Sequence, residues 1–210
     1  MIVLKDVTKA YGRQLVLDHV TAEFAAGQIH GIVGRNGSGK TVLFKCICGL
    51  LKPDQGKITV AGKRVGRDIE IPPKMGAILE TPGFLPNLSG YKNLRCLAGI
   101  SGKAADREIR EAMLRVGLDP KSRKWVSKYS LGMRQRLGIA QAMMENPSLL
   151  LLDEPMNGLD NAGADQAREL LESLRARGKT ILLASHNPLD IERLCDTVWE
   201  MDRGRIRRQK

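Results

Sequence analysis

The stretch Gly34-Arg35-Asn36-Gly37-Ser38-Gly39-Lys40-Thr41 decides how the rest of this chain is read. It fits the pattern G-x-x-x-x-G-K-[ST] in full, the pattern of a loop that cradles phosphate. Its glycines let the backbone curl so that successive N–H groups face anionic oxygens. Lys40 can then reach the β- and γ-phosphates of a nucleotide, and the Thr41 hydroxyl can ligate Mg²⁺. The flanks agree with this reading. An apolar run at 29–33 leads in, and the segment 42–50, opening with Val42, reads as a helix whose N-terminal dipole favours anions. A glycine-rich turn of no consequence is the alternative.

A chain of 210 residues can bury one sizeable core and still carry an inserted subdomain. The 34 Lys and Arg outnumber the 23 Asp and Glu, for a formal charge of +11. That balance allows nucleic acid, anionic lipid or a phosphate-rich ligand as partner. Aromatic residues make up 4% and no basic stretch is interleaved with Phe or Tyr, which speaks against a single-strand binding surface. The basic tail, Arg203, Arg205, Arg207, Arg208 and Lys210, reads as a solvated end or as a contact for acidic head groups. No apolar stretch has membrane-spanning length, and the N-terminus lacks a signal-peptide pattern, so a soluble cytoplasmic chain is expected. Cys46, Cys48, Cys96 and Cys195 show no zinc-ligand spacing and are expected as small buried hydrophobes in a reducing compartment.

Short strands are predicted at 2–7, 16–24 and 28–33, then, beyond the first helix, at 57–60 and 75–79. Pro82, Gly83, Pro86 and Gly90 mark a loop-rich junction. Helical periodicity follows at 91–98, 106–116 and 130–145. The uninterrupted apolar run 149–152 suits a parallel strand buried on both faces. Beyond it come a helix at 162–177, a strand at 180–184, a helix at 189–194 and a strand at 197–201. The sum is an α/β fold: a P-loop NTPase core with a parallel central sheet, an N-terminal antiparallel β subdomain and an inserted α-helical subdomain. The expected division is a single nucleotide-binding domain, 1–210. Its catalytic core spans 1–85 and 148–210, and its helical subdomain 86–147.

Leu149-Leu150-Leu151-Leu152-Asp153-Glu154 is the second chemical signal. A carboxylate at the end of a buried strand holds Mg²⁺ opposite the loop hydroxyl in phosphate-loop enzymes, and Asp153 fits that role. Glu154, beyond the strand, is placed to accept a proton from water attacking the γ-phosphate. Read blandly, Asp-Glu-Pro only ends a strand.

The third signal is Tyr129-Ser130-Leu131-Gly132-Met133-Arg134-Gln135-Arg136. Here the chain resembles the ATP-binding cassette ATPases, whose signature reads Leu-Ser-Gly-Gly-Gln followed by a basic, glutamine-rich helix start. Ser130, Gly132, Arg134, Gln135 and Arg136 match, whereas Tyr129, Leu131 and Met133 depart. A hydroxyl and a backbone N–H at a helix N-terminus still suit phosphate. The resemblance covers nearly the whole chain and extends to Asp160 as a D-loop residue, His186 as the switch histidine that senses the γ-phosphate, and Tyr11 as an aromatic stacking on adenine. It also implies a glutamine after 75–79, where Glu80 stands instead, able to touch Mg²⁺ but adding negative charge. Glutamate there resembles ATPases of lantibiotic-immunity exporters, with bacitracin-resistance transporters as near relatives.

The resemblance implies ATP and Mg²⁺ as substrate and cofactor, with catalysis by Lys40, Glu154 and His186 and metal held by Thr41, Asp153 and Glu80. It implies an ATP-dependent homodimer or heterodimer in which residues 34–41 of one chain face 130–132 of the other. A separate transmembrane permease would dock near Thr81 to Asn93, which places the ATPase peripherally at the cytoplasmic face of the membrane. The expected function is to power an exporter of antimicrobial peptide or drug. An importer subunit, or a cassette ATPase acting on nucleic acid or the ribosome, is the alternative. The span between the phosphate loop and Ser130 carries no sustained heptads, and each motif occurs once, so no nucleic-acid partner is expected.

Overall fold

Two β-strands of ten and eleven residues open the chain, Ile2–Tyr11 (β1) and Gln14–Phe24 (β2). They are antiparallel, and their register shifts at several points, beside which Asp6 and His19 adopt left-handed φ of 56° and 52°. Gln55–Val60 (β4) pairs with the other edge of β1 and Lys63–Arg64 (β5) with β4, giving an antiparallel sheet ordered β2-β1-β4-β5. The computed structural model describes residues 1–80, 83–102 and 104–210.

The second sheet is built on Ile29–Val33 (β3), which leads through the phosphate loop into helix Lys40–Ile47 (α1). Its other strands are Met75–Ile78 (β6), Leu149–Asp153 (β7), Thr180–Ala184 (β8), Thr197–Asp202 (β9) and Arg205–Arg208 (β10). The order is β10-β9-β3-β8-β7-β6, parallel except for the β9–β10 hairpin. Every residue of β7 and β8 is buried. Period-two alternation explains why: Leu149 and Leu151 pack with α1 and the antiparallel sheet, while Leu150 and Leu152 face the helical side.

That helical side comprises Gly90–Ser101 (α2), Asp106–Arg115 (α3) and Leu131–Met143 (α4), with a 3-10 turn at Val126–Lys128. Asn161–Ala176 (α5) and Pro188–Leu194 (α6) complete the layer. Helix starts carry their caps: Ser89, Ser130, Asp160 and Asn187 each accept a backbone N–H from the first turn.

Three elements escape the periodicity: β5, the 3-10 turn and β10. The basic tail is exposed, as a solvated end would be, but it is not free. Arg205, Arg207 and Arg208 belong to β10 and Arg203 to the turn before it; Arg205 Nε donates to Asp18 at 2.6 Å and Arg207 Nη2 to Glu200 at 2.9 Å. A hairpin edge strand needs one buried face at most, so its charge hid it. Cys46, Cys48 and Cys195 are buried as expected, and burial pushes the Cys46 and Cys195 thiols up to about 12. Cys96 departs from that expectation: it is exposed on α2, whose inward positions are Asn93, Leu94 and Ala98.

Candidate functional site

The loop after β3 turns on glycines at positive φ: Gly34 at 153°, Gly37 at 79° and Gly39 at 107°. A Cβ on Gly34 would meet the Met201 carbonyl oxygen at 2.2 Å, so the loop passes β9 too closely for any side chain there. Ser38 N donates to Arg35 O at 3.1 Å, and Gly204 N donates to Ser38 O at 3.1 Å, which pins the loop to the β9–β10 turn. Lys40 Nζ donates to the carbonyls of Gly34 at 2.7 Å and Arg35 at 3.1 Å, laying a buried ammonium across the loop. Gly39 caps α1 without a side chain, which leaves the first-turn N–H groups to an anion. The Ser38 hydroxyl is buried with no hydrogen-bond partner among the described residues. An orphaned donor beside a buried ammonium suits a cradle for phosphate.

At the carboxyl end of the central strands, Thr41 Oγ1 donates to Asp153 Oδ2 at 2.5 Å, joining the loop helix to β7. Glu154 follows at φ 50°, and its backbone N–H donates to Ala184 O on β8 at 2.9 Å. Gln135 of α4 donates from Nε2 to the carbonyls of Glu154 at 3.2 Å and Pro155 at 3.0 Å. The Glu154 backbone is therefore fixed from two sides, while its Oε2 lies 2.9 Å from His186 Nδ1. His186 is itself set by a buried network. Ser185 Oγ donates to Asp190 Oδ2 at 2.8 Å, and Arg168 grips Asp190 Oδ1 from Nε at 2.8 Å and Nη2 at 2.7 Å.

The structure brings many of the sequence-predicted residues together. Asn36, Gly37, Gly39, Lys40, Thr41, Val42, Glu80, Asp153 and Glu154 line one cleft of about 460 Å³, joined by Val16, Leu131, Gln135 and Asn157. Gly34, Arg35, Ser38 and His186 line an adjoining groove of about 1180 Å³ that shares Asn36 and Gly37. Ser130, Gly132 and Asp160 lie elsewhere, around a hollow of about 610 Å³. There Asp160 Oδ1 accepts from Gly163 N at 3.1 Å and Arg136 Nη2 at 3.2 Å. Tyr11 stands apart at the end of β1, 51% exposed, with Lys9 Nζ 5.8 Å from its ring centroid. Of the segment 81–93, Thr81 and Pro82 lie outside the described residues. Further along, Leu85 is exposed and Asn93 braces the segment, its Oδ1 accepting from Leu85 N at 2.7 Å.

Sequence reasoning missed Val16, the Arg168–Asp190 pair and Lys45. Lys45 carried a usable signal, lying four residues after Thr41 and so on the same helical face. The others depend on long-range packing. No group of three or more His, Cys, Asp or Glu among the described residues could enclose a metal. The Thr41 hydroxyl and Asp153 carboxylate offer two hard oxygen donors. That set suits Mg²⁺, which takes one or two protein oxygens and completes its shell with water and phosphate.

Comparison with known proteins fits this site. The model of the family described as "ABC transporter" matches residues 17–157. The chain is 42% identical over 206 residues to an ABC transporter ATP-binding protein of Bacillus subtilis, YybJ, covering 98% of this chain and 94% of that one. It is 40% identical over 208 residues to the bacitracin transport ATP-binding protein BcrA of Enterococcus faecalis, covering 98% and 68%. A dimeric ATP-binding cassette solved in a post-hydrolysis state with ADP and phosphate superposes with a TM-score of 0.90 at 23% identity, covering 100% and 98%.

Proposed function

The chain belongs to the ABC transporter family of ATP-binding proteins, and on that footing we propose that this ATPase powers a separate membrane permease exporting an antimicrobial peptide. The kinship with BcrA supports that class of cargo. Among the described residues no helix is long and apolar enough to cross a membrane. The permease we assign to a separate polypeptide would hold this chain at the cytoplasmic face. The exposed Leu85 region, within 81–93, is the surface we assign to that permease.

One observation carries the mechanism: Thr41, Asp153 and Glu154 line the phosphate-loop cleft, with Thr41 bonded to Asp153 and Glu154 meeting His186 of the adjoining groove. The N–H groups of 34–41 and the Lys40 ammonium bind the β- and γ-phosphates and offset their charge. Thr41 and Asp153 would hold Mg²⁺, which would supply charge neutralisation at the phosphate oxygens. Glu154 accepts the proton of the attacking water, and the His186 ring orients that carboxylate and reports on the γ-phosphate. Tyr11, exposed at the end of β1, would serve the adenine. Ser130, Gly132 and Asp160 cluster in a separate hollow, so within one chain Ser130 and Gly132 do not line the phosphate-loop cleft, although Leu131 and Gln135 of the same stretch do. A second copy, or a close homologue, supplies them, and ATP is held between opposed chains.

Glu154→Gln tests the scheme, because the amide keeps the shape but takes no proton. Phosphate release should fall by about 10²–10⁴-fold. Size-exclusion chromatography with MgATP should show a dimer that accumulates, whereas wild type turns over and separates. A variant that hydrolyses normally, or never dimerises in ATP, would overturn the proposal.

A further inference from the structure

Glu80 follows β6 at a left-handed φ of 63°, and its side chain lines the same cleft as Thr41, Asp153 and Glu154. Glu80, Asp153 and Glu154 all line this cleft, and their negative charges repel a polyanion that enters it. The chain supplies a counter-charge from an element that is already in place. Lys45 is one turn beyond Thr41 on α1, and its Nζ donates to Glu80 Oε1 at 2.6 Å.

We propose that Lys45 is a positioning residue for nucleotide binding and hydrolysis: its ammonium fixes and neutralises the Glu80 carboxylate, so that a glutamate is tolerated beside Asp153, Glu154 and the phosphates. The inference rests on the ATPase reading of the cleft. It does not require the pair to stabilise the fold. Both partners are partly exposed, at 33% and 63% of their side chains, and pairs of that kind contribute little to stability. The benefit lies in the charge presented to the ligand. Lys45 therefore matters only while the residue at 80 carries a negative charge.

A double-mutant cycle on the full chain reads this directly. MgATP affinity and steady-state hydrolysis are measured for wild type, Lys45→Ala, Glu80→Gln and the double variant, with Lys45→Arg as the conservative change and thermal melts as a folding control. Lys45→Ala should weaken MgATP binding by about tenfold in the wild-type background and by less than about twofold in the Glu80→Gln background, with kcat/KM following and melts unchanged. Lys45→Arg should restore most of the affinity. Equal losses in both backgrounds, or no loss in either, would overturn the proposal. Wild-type protein that binds no MgATP would instead overturn the ATPase reading, so the two failures are distinguishable.

Discussion

Gly34 is held by its neighbours as much as by its own freedom. Its φ of 153° is rare for a residue with a side chain, and the Met201 carbonyl occupies the place of a Cβ. Gly34→Ala must therefore push the loop away from β9, at a cost of about 1–3 kcal/mol in backbone strain. The displacement strikes the Lys40 Nζ contact to Gly34 O, so MgATP affinity should fall by at least about tenfold while the far-ultraviolet dichroism stays native. Isothermal titration decides the matter, and unchanged affinity would mean the loop tolerates the shift. At this scale much was legible. The identities at 34–41, 153 and 154 announce their chemistry because neighbours in sequence share one loop or one strand end. Val16 was not legible, and Lys45 only as far as sharing a helical face with Thr41, since a contact with Glu80 or with the cleft depends on distant elements.

At the scale of elements, α5 and α6 are locked by a charge pair with almost no access to solvent: Arg168 is 4% exposed and Asp190 1%. Asp190 also accepts from Ser185, whose neighbour His186 faces Glu154. The sequence showed His186 after a strand but not what aims it, because the partners lie 22 and 5 residues from Asp190 with no motif joining them. Replacing Asp190 with Asn leaves the guanidinium only the exposed Asp165 as counter-charge, 2.8 Å from Nη1, which should destabilise the protein by about 3 kcal/mol in urea titrations. Replacing the pair together, Arg168→Met with Asp190→Leu, should recover much of that stability, because a buried ion pair and an apolar pair of similar volume are nearly equivalent. The double variant should still hydrolyse ATP more slowly than wild type, having lost the anchor of Ser185. Recovery of full activity along with stability would show that the network serves the core alone.

Across the whole molecule, the order of strands and helices followed from periodicity and punctuation, and the basic tail was misjudged because an edge strand hides its pairing behind charge. Burial of titratable groups was equally illegible. No motif surrounds His30 in the sequence, yet it sits in β3 at 1% exposure, between the two sheets. Its Nδ1 lies 2.7 Å from Thr197 Oγ1 and its Nε2 2.8 Å from Ala25 O, and Phe24 packs on the ring at 5.3 Å. Desolvation by that packing lowers its pKa below the usual 6.5, although the bond to Ala25 O opposes the shift. The native state therefore keeps His30 neutral while the unfolded chain takes up a proton as pH falls through about 6.5. Its contribution to stability is complete above that pH and is lost as the pH drops towards the folded value. His19 acts with the opposite sign. Its exposed ring lies 2.6 Å from Asp6, and that hydrogen bond raises its pKa, so its contribution is complete below about 6.5 and fades as pH rises through the folded value. Unfolding free energies at several pH values below 6.5, followed by fluorescence of the buried Trp199, should decline with acidity in wild type and in His19→Asn. In His30→Gln the decline should be shallower. Parallel slopes for wild type and His30→Gln would place the acid sensitivity in the carboxylates and not in the seam between the two sheets.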